Sequence, residues 1–282
     1  MEIVDHPREM QEVALAWRQQ HQTISFVPTM GYFHEGHLSL MRYGRKQGDR
    51  LVVSLFVNPT QFGPGEDLDR YPRDPERDAA LAREVGVDVL YTPTAAQMYP
   101  EGYQTYVTVE EVSRGLCGAT RPGHFRGVAT VVLKLFNQVL PPLAVFGEKD
   151  YQQLAVIKRM VSDLDMPVEV VGRPIVREAD GLAMSSRNTY LNPKERRAAL
   201  GLFKALTWAK DAAASGENQA DKIVPEVIQT IKSAPHTRLD YAVLVDPDTL
   251  QSVDTVQGSA RLAVAAWVGD TRLIDNMLLE VP

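Results

Sequence analysis

Two histidines, His34 and His37, stand three residues apart in the stretch Val27–Leu38, VPTMGYFHEGHL, just after a short apolar run and a Pro-Thr-Met-Gly turn. Imidazoles in such a setting can hold zinc, donate to phosphate, or decorate a surface loop. A zinc helix of the His-Glu-x-x-His type sends both imidazoles from one helical face. Here the second histidine comes one residue early, and Leu38 stands where the motif needs it. The other histidines, His6, His21, His124 and His236, have no paired spacing to complete a site. Zinc is therefore disfavoured. Phosphate has a better physical basis: a strand that ends in a Gly-containing turn and feeds a helix leaves unpaired N–H groups and the positive end of the helix dipole facing one sheet edge. Gly31 and Gly36 would permit close backbone approach, and His34 and His37, at i and i+3, would lie side by side as donors. The stretch alone still leaves a pair of solvated loop histidines open.

Two later segments supply related chemistry. FGEKDYQQL (Phe146–Leu154) places a glycine, a lysine and an aspartate between a strand-like and a helix-like run, so that Lys149 could reach a phosphate and Gln153 could turn an amide into a cleft. By itself that lysine reads more readily as a solvated helix cap. DGLAMSSRN (Asp180–Asn188) offers the hydroxyls of Ser185 and Ser186 and the guanidinium of Arg187 in succession, a set suited to triphosphate oxygens. A plain Ser-rich turn is the alternative. Neither G-x-x-x-x-G-K-[ST] nor a G-x-G-x-x-G after the first strand is present, which excludes the P-loop and the dinucleotide fingerprint.

The elements that must carry these groups alternate. TISFV (23–27) and LVVSLFV (51–57) have buried-strand composition and flank apolar positions at helical spacing over 38–47. Pro75–Val85 reads as a helix before VDVLY, and LAVFG (143–147) precedes the helical pattern of YQQLAVIKRMVSDL and then VEVV. Such alternation predicts an α/β, Rossmann-like doubly wound parallel sheet with helices on both faces. Residues 58–74, rich in Pro, Gly and Asp, read as a long functional loop, whose Asp67, Asp69 and Asp74 suit solvent better than magnesium. After Arg173 the texture changes. Two helices, Pro193–Ala214 and Ala220–Ser233, lead into LDYAVLVD, RLAVAAWVG and RLIDNMLLEV, which predicts a smaller α+β domain with an antiparallel sheet. The expected domains are 1–175 and 176–282.

Bulk composition narrows the partner. With 282 residues, 44% of them hydrophobic, and a formal charge of −6, the chain can bury a core but lacks the basic surface that nucleic acid requires. The single Cys117 makes no internal disulfide, and no apolar run approaches the ~20 residues of a membrane helix. The expectation is a cytoplasmic protein acting on small molecules, with no membrane or nucleic-acid partner.

Taken in order, PTMGYFHEGH, FVNPTQF with DLDRYPR, RPGHFRGVATVV, FGEKDYQQL and MSSRN resemble the pantoate–β-alanine ligase family along the whole chain. HEGH is similar to the HIGH signature of class I aminoacyl-tRNA synthetases and other nucleotidyltransferases, and MSSR to their KMSKS loop. The resemblance implies ATP-dependent joining of pantoate to β-alanine through a pantoyl-adenylate, with release of AMP and pyrophosphate, magnesium (Mg2+) on the triphosphate, and a homodimer. It assigns ATP to Pro28, Thr29, Met30, Gly31, His34, Gly36 and His37, to Gly147, Glu148, Lys149 and Asp150, to the backbone near Val176, and to Met184, Ser185, Ser186 and Arg187. His37 would be the catalytic histidine, with His34, Lys149 and Arg187 as further electrostatic donors; no protein ligand to the metal is implied. Gln61 and Gln153 would bind pantoate, Gln61 lying also near β-alanine. Phe33 and Thr60 depart from the family pattern, where Leu and Met are common. Two other readings share part of this signature: an adenylyltransferase that leaves AMP on a phosphate-bearing product, and a synthetase-like RNA-binding protein, which the acidic balance disfavours.

Overall fold

Apolar β-rich runs flanked by helical segments give strands buried on both faces, and the chain builds its larger sheet from them. In the computed structural model, which describes residues 1–282, the order of elements begins β1 (Glu2–Val4), α1 (Pro7–Gln19), β2 (Ile24–Thr29), α2 (Glu35–Gln47) and β3 (Arg50–Leu55). It continues through α3 (Pro75–Val85), β4 (Val89–Tyr91), α4 (Ala95–Met98), α5 (Leu116–Thr120), α6 (His124–Val139), β5 (Leu143–Gly147), α7 (Tyr151–Asp163) and β6 (Glu169–Arg173). The six strands are all parallel in the order β1-β4-β3-β2-β5-β6. Successive strands run outward from β2 in one direction as far as β4, and then from β5 in the other, so the topological switch falls between β2 and β5. Ligands of open α/β sheets bind outside such a point.

Pro28 helps to open that crevice. The β2–β3 ladder continues to Thr29 and Leu55, but the β2–β5 ladder stops at Phe26 and Ala144, two residues before a proline that has no N–H to extend it. The strands then part at their C-terminal ends.

Local signals set the helix boundaries. Asp74 caps α3 by accepting from the Arg77 N–H (3.1 Å), Pro75 takes the first helical position, and Gly86 closes the helix in the left-handed region at φ 87°. The helix α6 is buried along most of its length and packs against α1, α7 and β2. Beyond β6, α8 (Pro193–Ala214) and α9 (Ala220–Ser233) cover an antiparallel sheet of β7 (Thr237–Val245), β8 (Ser259–Val268) and β9 (Thr271–Glu280). Buried apolar residues of the parallel sheet form two clusters, one on each face, and those of α8, α9 and the antiparallel sheet form a third. No helix is long and apolar enough to cross a membrane.

Candidate active site

Three chain segments meet at the C-terminal edge of β2 and β5 around a cavity of about 220 Å³. The β2–α2 turn contributes Pro28, Thr29, Met30, His34, Gly36 and His37 to its wall. The β5–α7 turn brings Gly147, Lys149, Asp150 and Gln153, and the segment after β6 brings Val176 and Met184–Arg187. Gln61 completes the set from the Pro59–Gln61 turn. Gly31 and Glu148 stand outside the wall, as do Phe33, wholly buried in the sheet core, and Thr60, which donates to Asn58 Oδ1 (3.0 Å).

The first turn is clamped from α3. Gly31 adopts φ 86° and Tyr32 φ 52°, and the N–H groups of Tyr32 and Phe33 both donate to the buried carboxylate of Asp78 at 2.6 Å. A side chain at Gly31 would meet Asp78 Oδ2 at 3.0 Å and Leu55 Cγ at 3.1 Å, so glycine here serves the clamp. Burial raises the Asp78 pKa from its ordinary value, against the opposing effect of the two N–H donors. Arg77 adds a bond to the Phe33 carbonyl (3.0 Å).

His34 and His37 lie with ring centroids 4.0 Å apart. The His34 backbone N–H donates to His37 Nδ1 (3.3 Å), which fixes the neutral His37 with its proton on Nε2. Part of that ring still faces the cavity. Burial, then the neighbouring His34 and Lys149, hold the His37 pKa well below its usual value; burial and Lys149 push His34 down to about 4. Both imidazoles are thus neutral donors at rest. The Nδ1 of His34 is buried without a hydrogen-bond partner. Gly36 makes room for this ring, since a Cβ there would lie 2.8 Å from His34 Cε1.

The other two segments are held by the far sheet and by the long loop. Asn276 of β9 donates to the carbonyls of Glu148 (2.9 Å) and Lys149 (3.0 Å). Arg187 forms a two-point ion pair with Asp67, Nε to Oδ2 and Nη2 to Oδ1, both at 2.8 Å, and Tyr190 donates to the Arg70 carbonyl (2.8 Å). Asp67 is therefore an ion-pair partner rather than a solvated acid; Asp74 is a helix cap, and Asp69 alone keeps the exposed position expected of all three. Asp150 is the only carboxylate in the cavity wall, and no group of three or more metal-capable side chains exists.

Sequence reasoning gave no role to Asn58, Asp78, Arg121 or His124. Most of their partners lie tens of residues away in the chain, and only the FVNPTQF and RPGHF segments offered a signal. Along α6, Val128, Val131, Val132 and Leu135, at i, i+3, i+4 and i+7, form an apolar floor to the cavity with Phe56.

The family model described as pantoate-beta-alanine ligase matches residues 2–278. The chain is 58% identical over 276 residues to a pantothenate synthetase of Syntrophotalea carbinolica, covering 98% of each, and 55% identical over 281 residues to one of Heliobacterium modesticaldum, covering all of both. Its fold superposes on a crystal structure of pantothenate synthetase from Thermus thermophilus with TM-score 0.93 and 48% identity, covering 98% of this chain and 99% of that one. A pantoate-beta-alanine ligase from Francisella tularensis, complexed with beta-gamma ATP and beta-alanine, matches with TM-score 0.81 and 32% identity over 99% and 97% of the two chains.

Proposed function

The chain belongs to the pantoate–β-alanine ligase family, and we propose that it joins pantoate to β-alanine through a pantoyl-adenylate, releasing pyrophosphate and then AMP. The observation that carries this reading is the convergence of neutral donor imidazoles, a lysine, an arginine and two amides around one apolar-floored cavity at the switch point.

In the first step a carboxylate oxygen of pantoate attacks the α-phosphorus and the bond to the β-phosphate breaks, leaving pyrophosphate. The carboxylate is an adequate nucleophile, so the protein's task is to bring two anions together and stabilise the charge that grows on phosphate oxygens. His37 Nε2–H and the backbone N–H groups at the start of α2 serve as donors there, with Lys149 as a point charge. Arg187 joins them by exchanging Asp67 for phosphate. Gln61 and Gln153 take pantoate, since amides donate to a carboxylate and accept from hydroxyls, and the branched hydrocarbon of pantoate suits the Val128–Leu135 floor. Magnesium on the triphosphate would neutralise part of its charge, with Asp150 as the one carboxylate near enough to help hold it. In the second step the neutral β-alanine amine attacks the acyl carbon, the acyl C–O bond to AMP breaks, and the surplus amine proton passes to solvent.

Residues 1–175 act as the substrate-binding unit and 176–282 as the lid that brings Met184–Arg187; separate apolar clusters in the two parts support this division. The working form is a cytoplasmic homodimer. The test is a product assay with ATP, magnesium and pantoate, with and without β-alanine. AMP, pyrophosphate and pantothenate should appear in equal amounts only when β-alanine is present, and His37→Ala should lower kcat/KM about 10²–10³-fold. Turnover of ATP independent of pantoate would overturn the reading.

A further inference from the structure

The passage from α5 into α6 grips the backbone that carries Gln61. His124 Nδ1 lies 2.8 Å from the Gln61 carbonyl oxygen, and Arg121 Nη2 reaches the same oxygen at 3.3 Å. Arg121 Nη1 lies 3.0 Å from His124 Nε2, while its Nε and Nη2 bind Glu66 at 2.8 and 2.6 Å. An arginine can only donate, so the His124 Nε2 must accept and its proton must sit on Nδ1, aimed at the carbonyl. One turn later, a Cβ at Gly127 would lie 2.4 Å from the Thr60 carbonyl oxygen, so helix and turn pack backbone to backbone. Asn58 closes the frame, donating to the Gly127 carbonyl (3.2 Å) and to Gln61 Oε1 (3.1 Å). That bond orients the Gln61 amide. Its nitrogen is left with the Met30 sulfur at 3.4 Å, a weak acceptor that a carboxylate would displace.

We propose that His124 is a positioning residue that holds Gln61 ready for pantoate through its Nδ1–H, locked in that tautomer by Arg121 and Glu66; this rests on the assignment of Gln61 to pantoate. Both ring nitrogens are engaged, so His124 is not a base for the amine. The charged groups around it are Arg121, Glu66 and Asp150, and burial with the Arg121 cation pushes its pKa down to about 4, so the ring stays neutral at working pH.

Asparagine places an amide nitrogen near the position of His Nδ1, whereas glutamine places one near Nε2. His124→Ala and His124→Gln should each raise the pantoate KM about tenfold with the ATP KM changed less than about twofold, and His124→Asn should stay within about threefold of the parent. Equal damage from Asn and Gln, or parallel shifts in both KM values, would overturn the inference. Gln61→Ala separates the two readings. If it raises the pantoate KM and His124→Ala does not, the positioning role alone falls; if it changes nothing, the Gln61 assignment falls and takes the inference with it. Imidazole 15N shifts of the unaltered protein give an independent check, because a proton on Nε2 of His124 would contradict the lock.

Discussion

The two loops that would face the nucleotide are held in different ways. The turn between β2 and α2 is pinned by Asp78, a buried carboxylate taking two backbone N–H groups, and by rings packed on one another. The Met184–Arg187 segment is tied across the cavity by an ion pair to Asp67, whose carboxylate occupies the guanidinium as a phosphate would. On the proposed function, substrate would replace the second attachment and leave the first intact. Half of the site is built on folding; on that same function, the other half would be completed when a triphosphate displaces an internal anion.

The largest effect that could break this contrast comes from the pinned side. Asp78→Ala leaves two buried N–H groups unpaired, which should cost about 2–4 kcal/mol of stability and lower kcat/KM for ATP roughly a hundredfold. Urea denaturation and steady-state kinetics measure both. A variant with normal kinetics would mean that the turn holds its shape unaided.

The exchangeable side should respond with the opposite sign and less strongly. Asp67→Asn removes the competing charge from a partly exposed pair, so the ATP KM should fall about threefold, in line with the ~1 kcal/mol such pairs contribute. An increased ATP KM would show that Asp67 helps to bind the nucleotide.

Much of this division was invisible in the sequence for a physical reason. Apolar runs such as ISFV and LVVSL announce strands buried on both faces, and Asp74-Pro75 with Gly86 marks α3 at both ends. Strand-to-helix alternation also sets the HEGH and GEKD turns at one sheet edge, because in a parallel sheet every such turn falls there. Asp78, by contrast, looks like an ordinary acidic residue in a first helical turn, where it would complement the dipole. Its partners are 45 and 46 residues away. Glu66 with Arg121 and Asp67 with Arg187 are more distant still, 55 and 120 residues apart, and local patterns carry no information about them. The strand β1, only three residues long and mostly exposed, gives no run to read.

A third test, of the pinned side, is pH. His34, His37 and His124 have folded-state pKa values below the unfolded value near 6.5, so the unfolded chain binds more protons as pH falls beneath that value. Stability in the absence of ligand should therefore decline from pH 7 toward pH 4, with a slope of up to three protons. Below about pH 4, where His34 and His124 also titrate in the folded state, their share of the slope ends. Urea midpoints at pH 7 and pH 5 test this, and equal midpoints would show that the pinned turn is open to water.

The helix α6 adds a constraint on how such an enzyme can change. Val128, Val131, Val132 and Leu135 belong to the main apolar cluster and are also the cavity floor. Trimming any of them to admit a bulkier acid removes atoms from the core, and core truncations typically destabilise by one to several kcal/mol, about the margin by which domains stay folded. Enlarging them to gain thermal stability narrows the room for substrate. On the proposed placement of pantoate, acceptor preference and heat tolerance are written in the same four side chains, and a lineage that shifts one must compensate the other elsewhere in the chain.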